Sequence, residues 1–340
     1  MKGFIKLASI AMGLLLSFCI FSCHGNGGNG KYMHLTQLTK DGLWKSSPRW
    51  SPDGEYITYF AGYDTTWTDL CIISHKGGKP KKVIRLDKIG ALFLSLSPDG
   101  QEIFFNGGPI GKTYTPRMIY RTSLQEGSVP MVLFSSEGII LHLDLSPDGE
   151  KIAFAQTIKG NPDYLGGASS SSIGIEDSHI WVVDANGTNP KQLTYEKCLD
   201  GPPRWSPDGK RIAFARGCED TTKNGIMVMN SDGSGISRLY QRGGSQLAWS
   251  PDGSKIAFVS WDLFIISVKQ TEKPSLLIKR WPPYRPDTLS YHGVTRCDLD
   301  ISSPDWSPDG KRIVFVGEKM DSKGDVFSDL YVIEVPDSLR

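Results

Sequence analysis

The four-residue segment Ser-Pro-Asp-Gly occurs six times in this chain, and this repetition limits the possible folds more than any other feature. The copies begin at residues 51, 97, 146, 206, 250 and 307, so neighbouring copies are 46, 49, 60, 44 and 57 residues apart. Isoleucine follows every glycine after three residues, and an aromatic residue follows it after five. Self-similarity with this period indicates a propeller or another array of repeated units.

Each segment has the chemistry of a tight turn. Proline presets φ for the first turn position, aspartate suits the second, and glycine adopts the left-handed conformation, which predicts a three-residue hairpin loop between two strands. The turn role explains the six aspartates better than a calcium ladder does, because they are spread one per repeat. They are Asp53, Asp99, Asp148, Asp208, Asp252 and Asp309.

Two further elements recur in the repeats and complete a four-stranded unit. A third strand is predicted at Asp69–Ile73, Asp262–Ile266 and Asp329–Ile333, and a fourth at Lys191–Thr194. A unit of this size cannot bury both faces of its sheet alone, so neighbouring units must cover it. The sequence therefore predicts an all-β fold, a single six-bladed β-propeller of four-stranded antiparallel blades.

The two ends of the chain are predicted to share one blade. The sixth repeat stops at Glu334-Val335 without a fourth strand, whereas Thr36–Thr39 matches the fourth-strand pattern but precedes the first repeat. We therefore expect Lys31–Thr39 to form the outer strand of the last blade, which removes a sheet edge. The predicted propeller domain is 31–340.

The first thirty residues have the pattern of an export and anchoring segment. Residues 1–22 read as a signal peptide, with a basic start at Lys2 and Lys6 and the apolar run Leu7–Phe21. The segment Ile20-Phe21-Ser22-Cys23 resembles a bacterial lipobox, which implies lipidation of Cys23. Residues 23–30 are then a glycine-rich tether, and the protein is expected in the bacterial cell envelope, lipid-anchored and facing the periplasm or the cell surface. A spanning helix and an unmodified Cys23 are the alternatives.

The repeats resemble the TolB-type β-propeller, whose blades carry the same Trp-Ser-Pro-Asp-Gly-x-x-Ile-x-Phe pattern. The resemblance covers residues 31–340 and implies a scaffold for protein interactions in the cell envelope. TolB carries an additional amino-terminal domain, for which there is no room between Cys23 and Lys31, and TolB is not lipidated. The expected function is therefore that of a membrane-anchored, TolB-like propeller without that domain.

Two long insertions are expected on the face opposite the Ser-Pro-Asp-Gly turns. They span Thr157–Asp177 and Trp281–Ser302, and loop-rich faces of this kind commonly carry recognition. The second insertion holds aromatic and basic side chains that suit a peptide, a carboxylate or a sugar, although the same aromatics can simply pack the insertion onto the rim. These candidates are Trp281, Tyr284, Arg285, Tyr291, His292 and Arg296.

Catalytic chemistry has little support in the sequence. It contains no Gly-x-Ser-x-Gly, no His-Glu-x-x-His, no phosphate loop and no Cys-x-x-Cys. The alternative function is a glycan-binding protein or an enzyme resembling oligogalacturonate lyases, which use histidines and a divalent metal. His142, His179, His292 and Asp144 are the residues that could approach a channel mouth, but they share no ligand spacing. We therefore predict no catalytic residue, cofactor or metal ligand.

The cysteines predict one disulfide. Cys198 and Cys218 lie ten residues on either side of Asp208, so they face each other across the fourth hairpin if pairing continues without a bulge. Cys71 reads as a buried thiol within an apolar strand, and Cys297 is not assigned.

The charge balance argues against nucleic acid as a partner. The chain has 38 Lys and Arg against 37 Asp and Glu, and removing Lys2 and Lys6 with the leader leaves 36 against 37. A nearly neutral chain lacks the basic surface that nucleic-acid binding needs. The expected partners are envelope proteins or a glycan, bound by a monomeric propeller that the lipid holds at the membrane.

Overall fold

A computed structural model describes residues 35–64, 67–110, 116–157, 177–241, 243–269, 273–280, 295–297, 299–320 and 326–340. Within these residues no helix is long and apolar enough to span a membrane. Almost all regular structure in the described ranges is β-strand, and the two short 3₁₀ helices found there lie at Thr221–Lys223 and Asp337–Leu339.

The strands follow one another as antiparallel neighbours in each of the six repeats, which we call units one to six after their Ser-Pro-Asp-Gly segments. Unit one contains β2–β5, unit two β6–β9, unit three β10–β13, unit four β14–β17, unit five β18–β22, and unit six β23–β25 with β1. The strands are β1 (Leu35–Gln37), β2 (Trp44–Trp50), β3 (Tyr56–Asp64), β4 (Trp67–Ser74), β5 (Lys81–Asp87), β6 (Ile89–Leu96), β7 (Glu102–Pro109), β8 (Met118–Ser123), β9 (Met131–Ser135), β10 (Ile140–Leu145), β11 (Lys151–Thr157), β12 (Ser178–Asp184), β13 (Lys191–Gln192), β14 (Leu199–Trp205), β15 (Arg211–Gly217), β16 (Gly225–Asn230), β17 (Ser237–Tyr240), β18 (Ser245–Trp249), β19 (Lys255–Ser260), β20 (Asp262–Ser267), β21 (Ser275–Arg280), β22 (Thr295–Cys297), β23 (Asp300–Trp306), β24 (Arg312–Met320) and β25 (Val326–Glu334).

The protein is an all-β propeller of antiparallel sheets, but the hydrogen bonds divide it into five sheets rather than six separate ones. Units three and four form a single eight-stranded sheet, because Ser178 of β12 pairs in parallel with Leu199 of β14. Unit five has a fifth strand, since β22 pairs in parallel with β21. These two contacts depart from the uniform four-stranded blades that the repeats predict.

The Ser-Pro-Asp-Gly turns are stabilised by the same hydrogen bonds in every unit. In unit one, Ser51 Oγ donates to Asp53 Oδ1 at 2.5 Å, Glu55 N donates to the same oxygen at 3.0 Å, and Tyr56 N donates to Ser51 Oγ at 3.0 Å. Gly54 has a φ of 73°, the left-handed conformation that glycine adopts without strain. Because Ser51 N also donates to Tyr56 O at 2.9 Å, the loop holds four residues, one more than predicted.

The two ends of the chain meet in unit six. Strand β1 pairs antiparallel with β25, and Leu35 lies opposite Ile333 and Gln37 opposite Tyr331. Leu38 N continues this contact by donating to Leu330 O at 2.7 Å. The sheet order β1-β25-β24-β23 therefore places the amino-terminal strand at the outer edge of the last unit. The first part of the predicted strand, 31–34, lies outside the described residues.

The first strands of the units line the centre of the molecule. Contacts run from β2 to β6, β10, β14, β18 and β23 in turn, and β23 contacts β2. The apolar cores lie between neighbouring units: one joins Trp50, Ile57 and Tyr59 of unit one to Val314 and Leu330 of unit six. The succession of first strands thus returns to its start, and the residues that face the centre come from all six units.

Candidate functional site: a charged cluster at the propeller axis

Polar side chains meet where the six first strands surround the centre. The residue directly before the Trp or Leu of each Ser-Pro-Asp-Gly repeat differs between units; these residues are Arg49, Ser95, Asp144, Arg204, Ala248 and Asp305. Arg49 of unit one and Arg204 of unit four both lie on first strands, which surround the centre, and the effect of Arg204 on the pKa of Arg49 agrees with this position. We call Arg49, Ser95, His142, Asp144, Arg204 and Asp305 the axial cluster.

Three members of the axial cluster bind the backbone of the next unit. Asp144 Oδ2 accepts a 2.9 Å hydrogen bond from Trp205 N, and Asp305 Oδ2 accepts one of 2.9 Å from Trp50 N. Ser95 Oγ accepts from Leu145 N at 3.1 Å in the same manner. These bonds satisfy buried backbone donors across the boundary between units, so each of these side chains also has a structural role.

Arg204 has hydrogen-bond partners in the units on both sides of its own. Its Nε donates to Leu247 O of unit five at 2.8 Å, and its Nη1 lies 3.3 Å from Asp144 Oδ1. Trp249 Nε1 in turn donates to Arg204 O at 3.1 Å. The guanidinium is therefore paired with a carboxylate and held between units three and five.

Arg49 has a similar position in unit one but a poorer set of partners. Its Nη1 donates to Pro48 O at 3.0 Å and lies 4.0 Å from Asp305 Oδ1. Its Nη2 is buried and has no hydrogen-bond partner. Since only 7% of this side chain is exposed, bulk water does not compensate for the missing bond.

Burial and neighbouring charges shift the pKa values of two members of the axial cluster, Arg49 and Asp305. Burial, with repulsion from Arg204, lowers the pKa of Arg49 to about 10, and Asp305 partly offsets this effect. Burial also raises the pKa of Asp305 above its usual value, against the attraction of Arg49. The axial cluster thus contains two guanidinium groups, of Arg49 and Arg204, beside two carboxyl groups, of Asp144 and Asp305.

His142 extends the axial cluster by one neutral ring. Its imidazole packs against Phe93 of unit two, with ring centroids 3.9 Å apart and ring planes tilted by 36°. Burial lowers the pKa of His142 to about 3, and the positive charges of Arg204 and Arg49 lower it further. His142 is therefore neutral at physiological pH, so one ring nitrogen can donate a hydrogen bond and the other can accept one.

The chemistry of the axial cluster suits binding more than metal ligation. Across the part of the chain that the structure describes, no group of three or more His, Cys, Asp or Glu side chains is placed to hold a metal ion. His142 and His179 are separated, because His142 lies on β10 opposite Ala155, whereas His179 lies on β12. His292 lies outside the described residues.

Exposed aromatic side chains mark a second surface, on the face opposite the Ser-Pro-Asp-Gly turns. We call this the loop face; it carries the connections from second to third strands and from each unit to the next. Trp44 is 41% exposed and Trp261 is 79% exposed, and Tyr195 and Phe327 are also exposed. All exposed large aromatic side chains among the described residues lie on this face.

The predicted disulfide is present, and it joins Cys198 to Cys218 near the loop face. Leu199 lies opposite Gly217, so the two cysteines face each other as expected.

Beneath the disulfide, Arg216 pairs with Asp200. Arg216 Nε donates to Asp200 Oδ1 at 2.7 Å, and Arg216 Nη2 donates to Asp200 Oδ2 at 2.9 Å. Cys71 is a buried free thiol, and burial raises its pKa to about 11.

Most of the predicted binding rim falls in parts of the chain that the structure does not describe. Trp281, Tyr284, Arg285, Tyr291 and His292 lie outside the described residues, as does the lipidation candidate Cys23. The backbone of Arg296 lies in β22, opposite Lys279 of β21.

The bounds of the two predicted insertions differ slightly from the structure. Strand β11 extends to Thr157, where the first insertion was expected to begin, and β23 begins at Asp300, inside the second. Strand β22, which belongs to the second insertion, pairs with β21 at the outer edge of unit five.

Sequence reasoning identified His142 and Asp144 but not the rest of the axial cluster. The sequence signal for these residues is the position just before the Trp or Leu of each repeat. Arg49 and Arg204 occupy it three repeats apart. Asp144 and Asp305 also occupy it three repeats apart. Charged residues at a position that faces a crowded axis could have been singled out on that basis.

Comparison of sequences assigns no family to the chain. No family model matches it. An uncharacterized peptidase from Bacillus subtilis (strain 168), YuxL, is 24% identical over 195 residues, which are 57% of this chain and 24% of that protein. The chain thus spans about a quarter of the length of this curated relative.

Comparison of structures supports the propeller fold. An oligogalacturonate lyase in complex with manganese superposes with a TM-score of 0.61 and 16% identity, over 90% of this chain and 94% of the lyase. TolB from Acinetobacter baumannii superposes with a TM-score of 0.56 and 20% identity, over 86% of this chain and 63% of TolB. At these identities the likeness defines the class of protein, a β-propeller, and leaves its function to be argued from its own surfaces.

Proposed function

We propose that this protein is a six-bladed, TolB-like propeller that is lipid-anchored in the cell envelope and binds a partner protein through its loop face. The six first strands that contact one another in turn support the count of six blades, with units three and four as two blades joined at one bridge. The export pattern of residues 1–22 and the lipobox-like segment ending at Cys23 support the anchoring.

The observation that carries the proposed binding is the exposure of four aromatic side chains at strand ends or connections on the loop face, in units one, three, five and six. They are Trp44, Tyr195, Trp261 and Phe327. Aromatic side chains are enriched in protein interfaces, where they supply most of the binding energy. Exposing them to water is unfavourable, so a partner that covers them gains apolar contact area.

Paired variants of the full chain test this role. The chain is used as bait in detergent-solubilised envelopes, and Trp44→Ser with Trp261→Ser is compared with a control that replaces two exposed residues of the outer strand β9, Met131→Ser with Val132→Ser. A partner that the unaltered chain and the control capture, and that the tryptophan variant loses, supports the proposal. Equal capture by all three chains, or no capture by any, contradicts it.

The anchor has its own test, because it does not depend on the partner. Growth with a labelled fatty acid should label the unaltered chain, and Cys23→Ala should abolish the label and release the protein from the membrane fraction. Membrane attachment without the label in both chains would instead support a spanning segment at residues 1–22.

A glycan-binding or lyase role is the second candidate, and the charged axial cluster favours it. Arg49, Arg204 and His142 could bind the acidic groups of a uronide, and a structural neighbour of this chain is an oligogalacturonate lyase. Incubation with oligogalacturonate, followed by ultraviolet absorbance of unsaturated products, separates this role from the first. Product formation that Arg49→Met abolishes would favour the enzyme.

A further inference from the structure

We propose that the axial cluster is a binding site for a small carboxylate anion, which accepts hydrogen bonds from Arg49 Nη2 at the centre of the propeller. This site goes beyond the scaffold role and does not depend on it, because it lies among the first strands and not among the exposed aromatic side chains of the loop face.

The unpaired guanidinium nitrogen is the first observation. Arg49 Nη2 is buried without a partner, and a buried charged donor that lacks an acceptor is strongly unfavourable. Asp305 does not supply the acceptor, since it lies 4.0 Å from Nη1 and already accepts from Trp50 N. Arg204, at the corresponding position three units away, has both a backbone acceptor and a carboxylate within 3.3 Å.

The charges around this nitrogen favour an anion, and a singly charged one. Arg49 and Arg204 repel each other across the axis, and a negative group between them relieves this repulsion. Two carboxyl groups, of Asp144 and Asp305, already lie beside the two arginines, so a ligand with more than one negative charge is disfavoured. A carboxylate has one charge and the planar acceptor geometry that a guanidinium recognises.

Access and an additional donor complete the site. The side chain of Asp305 retains 24% of its surface, so solvent reaches the carboxylate that lies 4.0 Å from Arg49 Nη1, and an anion would enter from that side. His142 is half-buried beside Phe93 and interacts electrostatically with both arginines. Its neutral ring can donate one N–H to a carboxylate oxygen without adding charge.

Calorimetric titration of the full chain with sodium acetate, against sodium chloride at equal ionic strength, tests the site. We expect saturable binding of one acetate per chain, weaker binding of inorganic phosphate, and at least about a tenfold loss of acetate affinity in Arg49→Met. Arg85→Met is the matched control, because Arg85 lies on the outer strand β5, far from the axis, and pairs with Asp69 of β4. It should bind acetate as the unaltered chain does.

If Arg49→Met fails to fold, nuclear magnetic resonance of the unaltered chain can still locate the bound acetate. Methyl protons of ¹³C-acetate should show Overhauser contacts to the rings of Phe93 or His142. The proposal is wrong if acetate does not saturate the chain, if Arg49→Met binds it undiminished, if phosphate binds more tightly, or if the contacts fall on other residues only.

Discussion

Thr39 Oγ1 donates a 2.7 Å hydrogen bond to Asp329 Oδ1, which joins two residues 290 positions apart in the chain. The same hydroxyl accepts from Leu330 N at 3.0 Å, and Gln37 Nε2 donates to the other oxygen of Asp329 at 2.9 Å. Thr39 is only 3% exposed. The Thr39 hydroxyl therefore links the amino-terminal segment by two hydrogen bonds to β25, the third strand of unit six.

Replacing this hydroxyl should loosen the closure of the propeller. Thr39→Val keeps the volume and shape of the side chain but leaves Leu330 N without an acceptor, so we expect a loss of about 1–3 kcal/mol in the free energy of unfolding. Urea denaturation followed by tryptophan fluorescence measures this loss.

Thr188→Val is the matched control for this change. Thr188 is exposed and its hydroxyl bonds only within its own turn, to Asn186 Oδ1 at 2.7 Å, so its removal should cost less than about 0.5 kcal/mol. Equal effects of the two substitutions would show that the bond between Thr39 and Asp329 does not stabilise closure.

The closure could be predicted from sequence because it depends on a local pattern that recurs. Residues Thr36–Thr39 resemble the fourth strand of another unit. A fourth strand pairs with the third strand of its unit, and β1 pairs in this way with β25. The spacing of Cys198 and Cys218 around Asp208 also predicts the disulfide, although that spacing assumes pairing without a bulge and a shorter loop. The loop has one residue more than expected, but a bulge between Gly201 and Arg204 restores the register that places Cys198 opposite Cys218.

The axial cluster could not be predicted from the same repeats, because its contacts depend on which units face each other. Arg49 and Arg204 are 155 positions apart in the numbering (204 − 49) and interact only because a ring brings units one and four to opposite sides of one axis. The parallel bridge between Ser178 and Leu199 is likewise a single contact without a sequence pattern. Local turn chemistry predicts a unit, whereas side-chain contacts at the centre require the assembled ring.

Acid should destabilise the protein through His142. The pKa of His142 falls from its usual 6.5 to about 3 in the folded chain, so the unfolded chain binds more protons between these values. As pH decreases from about 6.5, this residue should lower the free energy of unfolding by up to about 1.4 kcal/mol per pH unit.

His142→Gln tests this dependence because glutamine does not titrate. The difference in stability between the variant and the unaltered chain should shift in favour of the variant as pH falls from 6.5 to 4. Nitrogen-15 spectra of the imidazole should show a neutral ring at pH 5. A protonated ring at that pH, or parallel stability curves, would contradict the expected effect of burial.

Reduction of the disulfide should destabilise unit four and the propeller with it. The bond closes a loop with a sequence separation of 20 residues, and a covalent link of that length contributes about 3 kcal/mol by restricting the unfolded chain. Cys198→Ser with Cys218→Ser should lower stability by that amount, and a reducing agent should bring the unaltered chain to the same value. If the reductant changes neither chain, the disulfide makes no contribution.

Breaking the buried ion pair between Asp200 and Arg216, beneath the disulfide, should lower the free energy of unfolding more than breaking a surface pair. Asp200 is 1% exposed and binds Arg216 through two hydrogen bonds, so Asp200→Asn leaves a buried guanidinium without its counter-charge. Breaking a buried pair in this way costs about 3–5 kcal/mol. Asp184→Asn is the control, because Asp184 pairs with Lys151 at the surface, where solvent screens the pair and its loss should change stability little. Thermal and urea unfolding should therefore separate the two variants clearly, and similar losses would mean that Glu196, which lies 3.2 Å from Arg216 Nη1, compensates for the missing charge.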